Sequence, residues 1–167
     1  GDSEEGAYVL TKHLLDLNHK HIVLLNGSES VSTAIERAEG YRRAMMQAGF
    51  TNDHIKIFWG EFSQESGYRH ALDMLQLYPR ATGLVAANNF IAIGAIRALD
   101  RSGLQIPEDI SLVVFDDLPE NVSLRPFLTT VTQPAYEMGF LAANTLLTRL
   151  KNEQNVEAKE IVLPFEL

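Results

Sequence analysis

The 167-residue sequence contains no cysteine. That excludes a disulfide framework, a thiolate zinc site and a cysteine nucleophile. Long apolar runs are also missing, and those present fall far short of the roughly 18 residues that a membrane-spanning helix needs. Positive charge is scarce: 14 Lys and Arg face 22 Asp and Glu, for a net charge of −8. Without a Lys/Arg-rich face, this segment is not expected to grip nucleic acid itself. No basic-then-apolar leader opens the sequence as given, so the expected setting is cytoplasmic, with no membrane partner. What is present is enough for one globular domain. With 46% hydrophobic and 22% charged residues, a chain of this size buries on the order of 70% of its unfolded surface and needs no structural metal.

Hydrophobic period alternates along the chain. Ala7, Leu10, Leu14 and Leu17 fall at helical spacing behind a capping box of Asp2 and Glu5, and Asn18 is a left-handed stop. The apolar run around Ile22, Val23, Leu24 and Leu25 then reads as a strand buried on both faces. Thr33 and Glu36 offer a second capping box for a helix ending at Gly49, and a strand over 55–59 leads to a helix over 63–77. A third strand covers 82–86, Asn89 caps a helix stopped by Gly103, and a fourth strand covers 110–115. An irregular stretch, 118–128, precedes strand-like 129–132, a helix over 135–150, a polar loop and a last strand near 161–163. Such alternation predicts right-handed crossovers and an α/β fold, an open, doubly wound parallel sheet.

In sheets of this kind, ligands bind beyond the carboxyl ends of the strands. The residues there are Asn26, Gly27 and Ser28 with Thr33 and Arg37, then Glu61 and Phe62, then Asn88 and Asn89, then Asp116 and Asp117. Arginine donates in a planar fork, aspartate accepts from paired hydroxyls, asparagine does both, and an aromatic ring covers the C–H face of a sugar or a base. Each residue also has a plainer role: Asn88, Asn89 and Thr33 as helix caps, Arg37 as a solvated cation, Phe62 as packing, Asp116 and Asp117 as a turn. Their emergence from one rim of one sheet favours a binding site.

Catalysis has less support. Asp116 and Asp117 admit a Mg²⁺-dependent phosphoryl-transfer reading, but no further metal-site acids stand at predictable positions. Gly27-Ser28-Glu29-Ser30 lacks the second glycine of a nucleophile elbow, and no dinucleotide fingerprint follows a strand. His13, His19 and His21 do not share a helical face at metal-binding spacing. The domain is read as a non-enzyme without metal or cofactor.

Several runs are similar to those of one family. Gly6-Ala7 to His13-Leu14, with Leu17-Asn18-His19 before Ile22, resembles the G-A…H-L…L-G-H-x-x-I stretch of the LacI/GalR transcriptional repressors. The helix from Arg37 through Gly40-Tyr41 resembles R-x-x-G-[FYW], and Ala87-Asn88-Asn89 through Gly94-Ala95 resembles A-N-D-x-x-A-x-G-A. Pro107-Glu108-Asp109-Ile110-Ser111 through Phe115-Asp116-Asp117 resembles P-x-D-[IV]-S-[VL]-[VI]-G-[FY]-D-[DN], and Pro126 through Gln133-Pro134 with Gly139 resembles P-x-L-T-T-[VI]-x-Q-[PD]…G. Asn18, Asn89 and Val114 depart from the usual Gly, Asp and Gly.

The resemblance implies a type I periplasmic-binding-protein-like domain with part of its first lobe missing. Residues 20–132 would be a complete second lobe, while 1–19 and 133–167 would pack on the absent lobe, and the helix-turn-helix headpiece lies outside this segment. It also implies a sensor that holds a small effector in an interlobe cleft and controls operator DNA allosterically, a sugar or sugar derivative being favoured over a purine. Arg37, Phe62, Asn88 and Asp116 match the family's effector-binding positions, and Gln133 borders the cleft at a crossover strand. Operator DNA would be reached only through the headpiece, in a homodimer to which Val122, Leu124 and Phe127 are candidate contributors. The rival is a periplasmic sugar-binding protein of a transporter, with the same fold and no DNA role.

Overall fold

The computed structural model describes residues 2–118, 128–151 and 160–167. Elements follow in the order α1 (Ser3–Asp16), β1 (Ile22–Leu25), α2 (Ser32–Gln47), β2 (Lys56–Phe58), α3 (Gln64–Leu77), β3 (Gly83–Ala86), α4 (Asn89–Arg101), β4 (Ser111–Phe115), β5 (Thr129–Val131) and α5 (Ala135–Lys151), with a 3₁₀ turn at Asn52–His54. The five strands form one parallel sheet in the order β2-β1-β3-β4-β5. This is the open α/β sheet that the alternation predicts. The order reverses between β1 and β3, so the crevice of the switch point opens where those two strands end.

Burial explains why short strands suffice. Every residue of β1 and β3 is buried, and Leu24, Leu25, Leu84 and Ala86 are fully inaccessible. Helices α1 and α2 pack together, as do α3 and α4, and right-handed crossovers place the two pairs on opposite faces. Leu10 and Leu14 of α1, Tyr41 and Met45 of α2, Met74 of α3 and Leu99 of α4 meet the strands in one core. Each such side chain stabilises the fold by roughly 1.5–3 kcal/mol.

Helix ends follow local chemistry with two corrections. Asp2 accepts from the Glu5 amide at 2.9 Å, and Asn18, Gly49 and Gly103 all take the left-handed conformation expected of stops. The Thr33–Glu36 capping box does not form: the cap position falls two residues earlier, at an extended Val31 that gives no side-chain cap. The cap of α4 is Asn88 rather than Asn89, and its Oδ1 accepts from the Ile91 amide at 2.8 Å.

Two larger expectations are also revised. Residues 1–19 do not wait for an absent lobe, because Ala7, Leu10, Thr11 and Leu14 of α1 are buried in this one. The stretch 161–163 forms no strand; instead Thr132 and Glu166 pair in an isolated antiparallel bridge with hydrogen bonds of 2.8 and 3.0 Å. Ile161 and Val162 are exposed, so the apolar run that suggested a strand has no sheet neighbour to satisfy. Val122, Leu124, Pro126, Phe127 and the polar loop lie outside the described residues.

Candidate functional site

The five parallel strands all deliver their carboxyl ends to one rim. From β1 comes Asn26, whose side chain is consumed locally: Nδ2 donates to Ala34 O at 2.8 Å and Oδ1 accepts from the Gly27 amide at 2.9 Å. The turn is thereby fixed, and Gly27 leaves room for the ring of Phe62, since a Cβ there would come within 2.4 Å of it. Phe62 follows β2 and is half-buried.

Arg37 projects from the second turn of α2 towards this rim and is only 6% exposed. Its guanidinium carbon lies 3.8 Å from the ring centroid of Phe115 and 5.6 Å from that of Phe62. One terminal nitrogen donates to the carbonyl of Ala87, at the end of β3. Arg37 Nε is buried and has no hydrogen-bond partner among the described residues. Burial pulls the Arg37 pKa down to about 10, against the opposing pull of the Asp116 and Glu36 carboxylates. A guanidinium held this dry keeps an unspent donor, and a buried unpaired donor costs about 1–3 kcal/mol.

Asp116 closes β4 in a left-handed conformation with φ 69°. That conformation is costly for most side chains but is tolerated by Asp and Asn. Its amide donates to Val131 O at 2.8 Å, and its Oδ1 accepts from Gln133 Nε2 at 3.0 Å. Asp117 turns elsewhere, accepting from Thr130 Oγ1 at 2.7 Å, while Asn89 Nδ2 donates to the Asp117 carbonyl at 3.1 Å. A hollow of about 430 Å³ opens here, lined by Asn89, Asp116, Asp117, Thr132, Gln133 and Met138.

The predicted residues thus fall into two adjoining groups. Arg37 and Phe62 form one, joined through the Phe115 ring to the second, Asp116 and Gln133. Asn88 lies beside Ala87 at the same rim, with its Oδ1 spent on the helix cap. Thr33 sits one turn before Arg37 on α2, half-buried, with no hydrogen bond from its side chain to a described residue. Sequence reasoning missed Phe115, which reads as one more strand residue; its place directly before Asp116 is the signal that it ends on the rim. The two aspartates do not converge, and no group of three His, Cys, Asp or Glu that could hold a metal occurs among the described residues.

The molecule is an open parallel α/β domain whose switch-point rim gathers a dry guanidinium, two aromatic rings and a half-buried carboxylate. The chain belongs to the periplasmic binding protein-like domain family, whose model matches residues 11–167. The chain is similar to transcriptional regulators of the LacI family. It is 35% identical over 154 residues to the HTH-type transcriptional repressor PurR of Aliivibrio salmonicida, covering 92% of this chain and 46% of that protein. It superposes with TM-score 0.86 and 32% identity on a LacI family transcriptional regulator from Enterococcus faecium with bound ribose, covering 99% of this chain and 62% of that one. The transcription regulator CcpA of Lactococcus lactis matches with TM-score 0.84 and 32% identity, over 99% and 60% of the two chains. These relatives are transcriptional regulators, not enzymes, which agrees with the non-catalytic reading and favours a regulator over a transport protein. The chain spans about half the length of the curated relatives it matches, 46% for the A. salmonicida repressor. No described helix is long and apolar enough to cross a membrane.

Proposed function

We propose that this chain is the greater part of one lobe of a cytoplasmic LacI-type regulator, and that its rim binds a sugar or sugar-derived effector which changes operator DNA binding. The observation that carries this reading is the buried, unpaired Arg37 Nε beside Phe62 and Asp116. A hydroxylated ring supplies what that arrangement lacks: an oxygen for the guanidinium, a hydroxyl donor for Asp116, and a C–H face for Phe62. The ribose held by the E. faecium relative supports a sugar. Thr33, Asn88 and Gln133 are assigned to the border of the same site. The described residues from 2 to 132 make up this lobe, helix α5 and the described residues from 160 on face the first lobe, and a headpiece outside this segment reads the operator in a homodimer. The effector favours one lobe arrangement through its differential contacts, which shifts the operator-binding state.

Titration calorimetry of the full-length protein against a panel of sugars and nucleosides tests the assignment. Asp116→Asn, which tolerates the left-handed backbone, is expected to weaken the effector at least about tenfold, roughly 1.4 kcal/mol. Undiminished affinity in that variant removes Asp116 from the site. A panel in which only nucleosides bind removes the sugar.

A further inference from the structure

We propose that the opposite edge of the sheet carries a second, independent site, for a small phosphomonoester with an apolar body. A cavity of about 290 Å³ opens there, at the amino ends of the strands. Its walls come from the start of β1 (Ile22, Val23), the first residue of β2 (Lys56) and the loop that leads into β3 (Tyr78 to Ala81). It therefore lies at the far ends of the strands whose carboxyl termini form the effector rim.

Charge identifies the occupant. Lys20, Lys56 and Arg80 line the cavity against a single acid, Asp53, which leaves a local net charge of +2 (3 − 1) in a chain of net charge −8. Ion pairs among the described residues engage Lys12, Arg42 and Arg43, and none engages these three cations. Lys20 and Arg80 are exposed and Lys56 is half-buried; the three border one hollow with no carboxylate paired to any of them, so an anion entering it displaces no ion pair and meets a locally positive field. A phosphomonoester, at about −1.5 to −2, matches that charge, whereas a lone carboxylate leaves about one positive charge over. Nucleic acid fits poorly, because three cations serve one phosphate and the surrounding negative charge repels a polyanion.

Shape and apolar lining supply the remainder. Val23, Ala81, Leu77 and the Tyr78 ring give the cavity a mainly apolar wall. The ammonium of Lys56 stands 5.1 Å from the Tyr78 ring centroid, and that ring is held edge-on by Phe58 at 5.9 Å. Leu77 is 64% exposed, an apolar side chain kept at the mouth without cover. The back wall is rigid: Tyr41 Oη donates to Ile22 O at 2.8 Å and accepts from the Lys56 amide at 3.2 Å. The volume stands at the bottom of the roughly 300–1,000 Å³ range of ligand sites, so the ligand is small.

Calorimetry of the full-length protein with phenyl phosphate, inorganic phosphate and phenol tests the proposal. Phenyl phosphate is expected to bind more tightly than inorganic phosphate, and phenol to give no heat. The double variant Lys20→Gln/Arg80→Gln, which changes two exposed side chains, is expected to weaken phenyl phosphate at least about tenfold without shifting Tm. Asp116→Asn is expected to leave that affinity unchanged, which separates this site from the effector rim. Absence of binding at millimolar phenyl phosphate, equal affinity for inorganic phosphate, full affinity in the double variant, or loss through Asp116→Asn would each overturn it.

Discussion

At the scale of single residues, the rim holds an unfavourable term, a buried cation with an unspent donor. Arg37 is charged yet buried, and its pKa fall to about 10 corresponds to a cost on the order of 3 kcal/mol for keeping the proton. The Phe115 ring at 3.8 Å and the Ala87 carbonyl offset part of that cost. His70 is a second buried titratable group. It is 9% exposed, with Nδ1 3.4 Å from Ser66 Oγ and its ring packed on Phe58. Desolvation lowers its pKa below 6.5, with Arg69 acting in the same direction and Asp73 against it. The folded state therefore favours neutral His70. Stability is full above the ordinary histidine pKa and declines as pH falls through it, because the unfolded chain takes up the proton first. Urea unfolding between about pH 7.5 and about pH 5.5 is expected to show that decline, and His70→Gln to flatten it. His19, whose pKa is also lowered by burial, leaves a residual slope in the variant.

At the scale of elements, α3 and α4 touch backbone to backbone. A Cβ on Gly94 would come within 2.0 Å of the Gln64 carbonyl, and one on Gly67 within 2.2 Å of the Ile91 carbonyl. Neither neighbour is a flexible side chain that could turn aside. Gly94→Ala is expected to destabilise the fold by about 1–3 kcal/mol, read as a lower urea midpoint at unchanged m-value. Ligand affinity of the folded fraction should survive, because the rim groups Arg37, Phe115 and Asp116 stand on other elements.

Elements were also where the sequence was most legible. Strands buried on both faces announce themselves as short apolar runs, so β1, β3 and β4 could be placed from Ile22, Leu84 and Leu112 onward. Left-handed stops need a permissive residue, which made Asn18, Gly49 and Gly103 readable. Capping was less so, since Thr33 and Glu36 had the right spacing but the chain had already turned at Val31, and Asn88 and Asn89 are equally able caps. The rim was legible as a list of residues because strand polarity alone sends their carboxyl ends to one side. Its internal wiring was not, since the Arg37–Ala87 bond spans fifty positions and the Arg37–Phe115 stack depends on how α2 lies over the sheet.

For the whole molecule, the distribution of apolar surface is uneven. The sheet and its four flanking helices bury most of their apolar residues, with Ile35, Met46, Leu77 and Phe90 as scattered exceptions, whereas α5 leaves Tyr136, Phe140, Leu146, Leu147 and Leu150 exposed together, with Ile161 and Val162 beyond it. Tyr136 and Phe140 stack on each other at 6.4 Å, but nothing among the described residues covers them. A patch of this kind drives association when it stays open. Sedimentation velocity on this chain is expected to show concentration-dependent self-association, and Tyr136→Glu/Phe140→Glu to return it to monomer. An unchanged sedimentation profile in that variant would place the contact elsewhere.

The antiparallel bridge between Thr132 and Glu166 gives this arrangement a mechanical meaning. The chain leaves the sheet and comes back to it through one doorway, two strands wide, pinned by two hydrogen bonds. Gln133 stands at that threshold with its amide on the Asp116 carboxylate. Any donor that took the same carboxylate oxygen would compete with the Gln133 amide, so the doorpost and the end of β4 share a single atom.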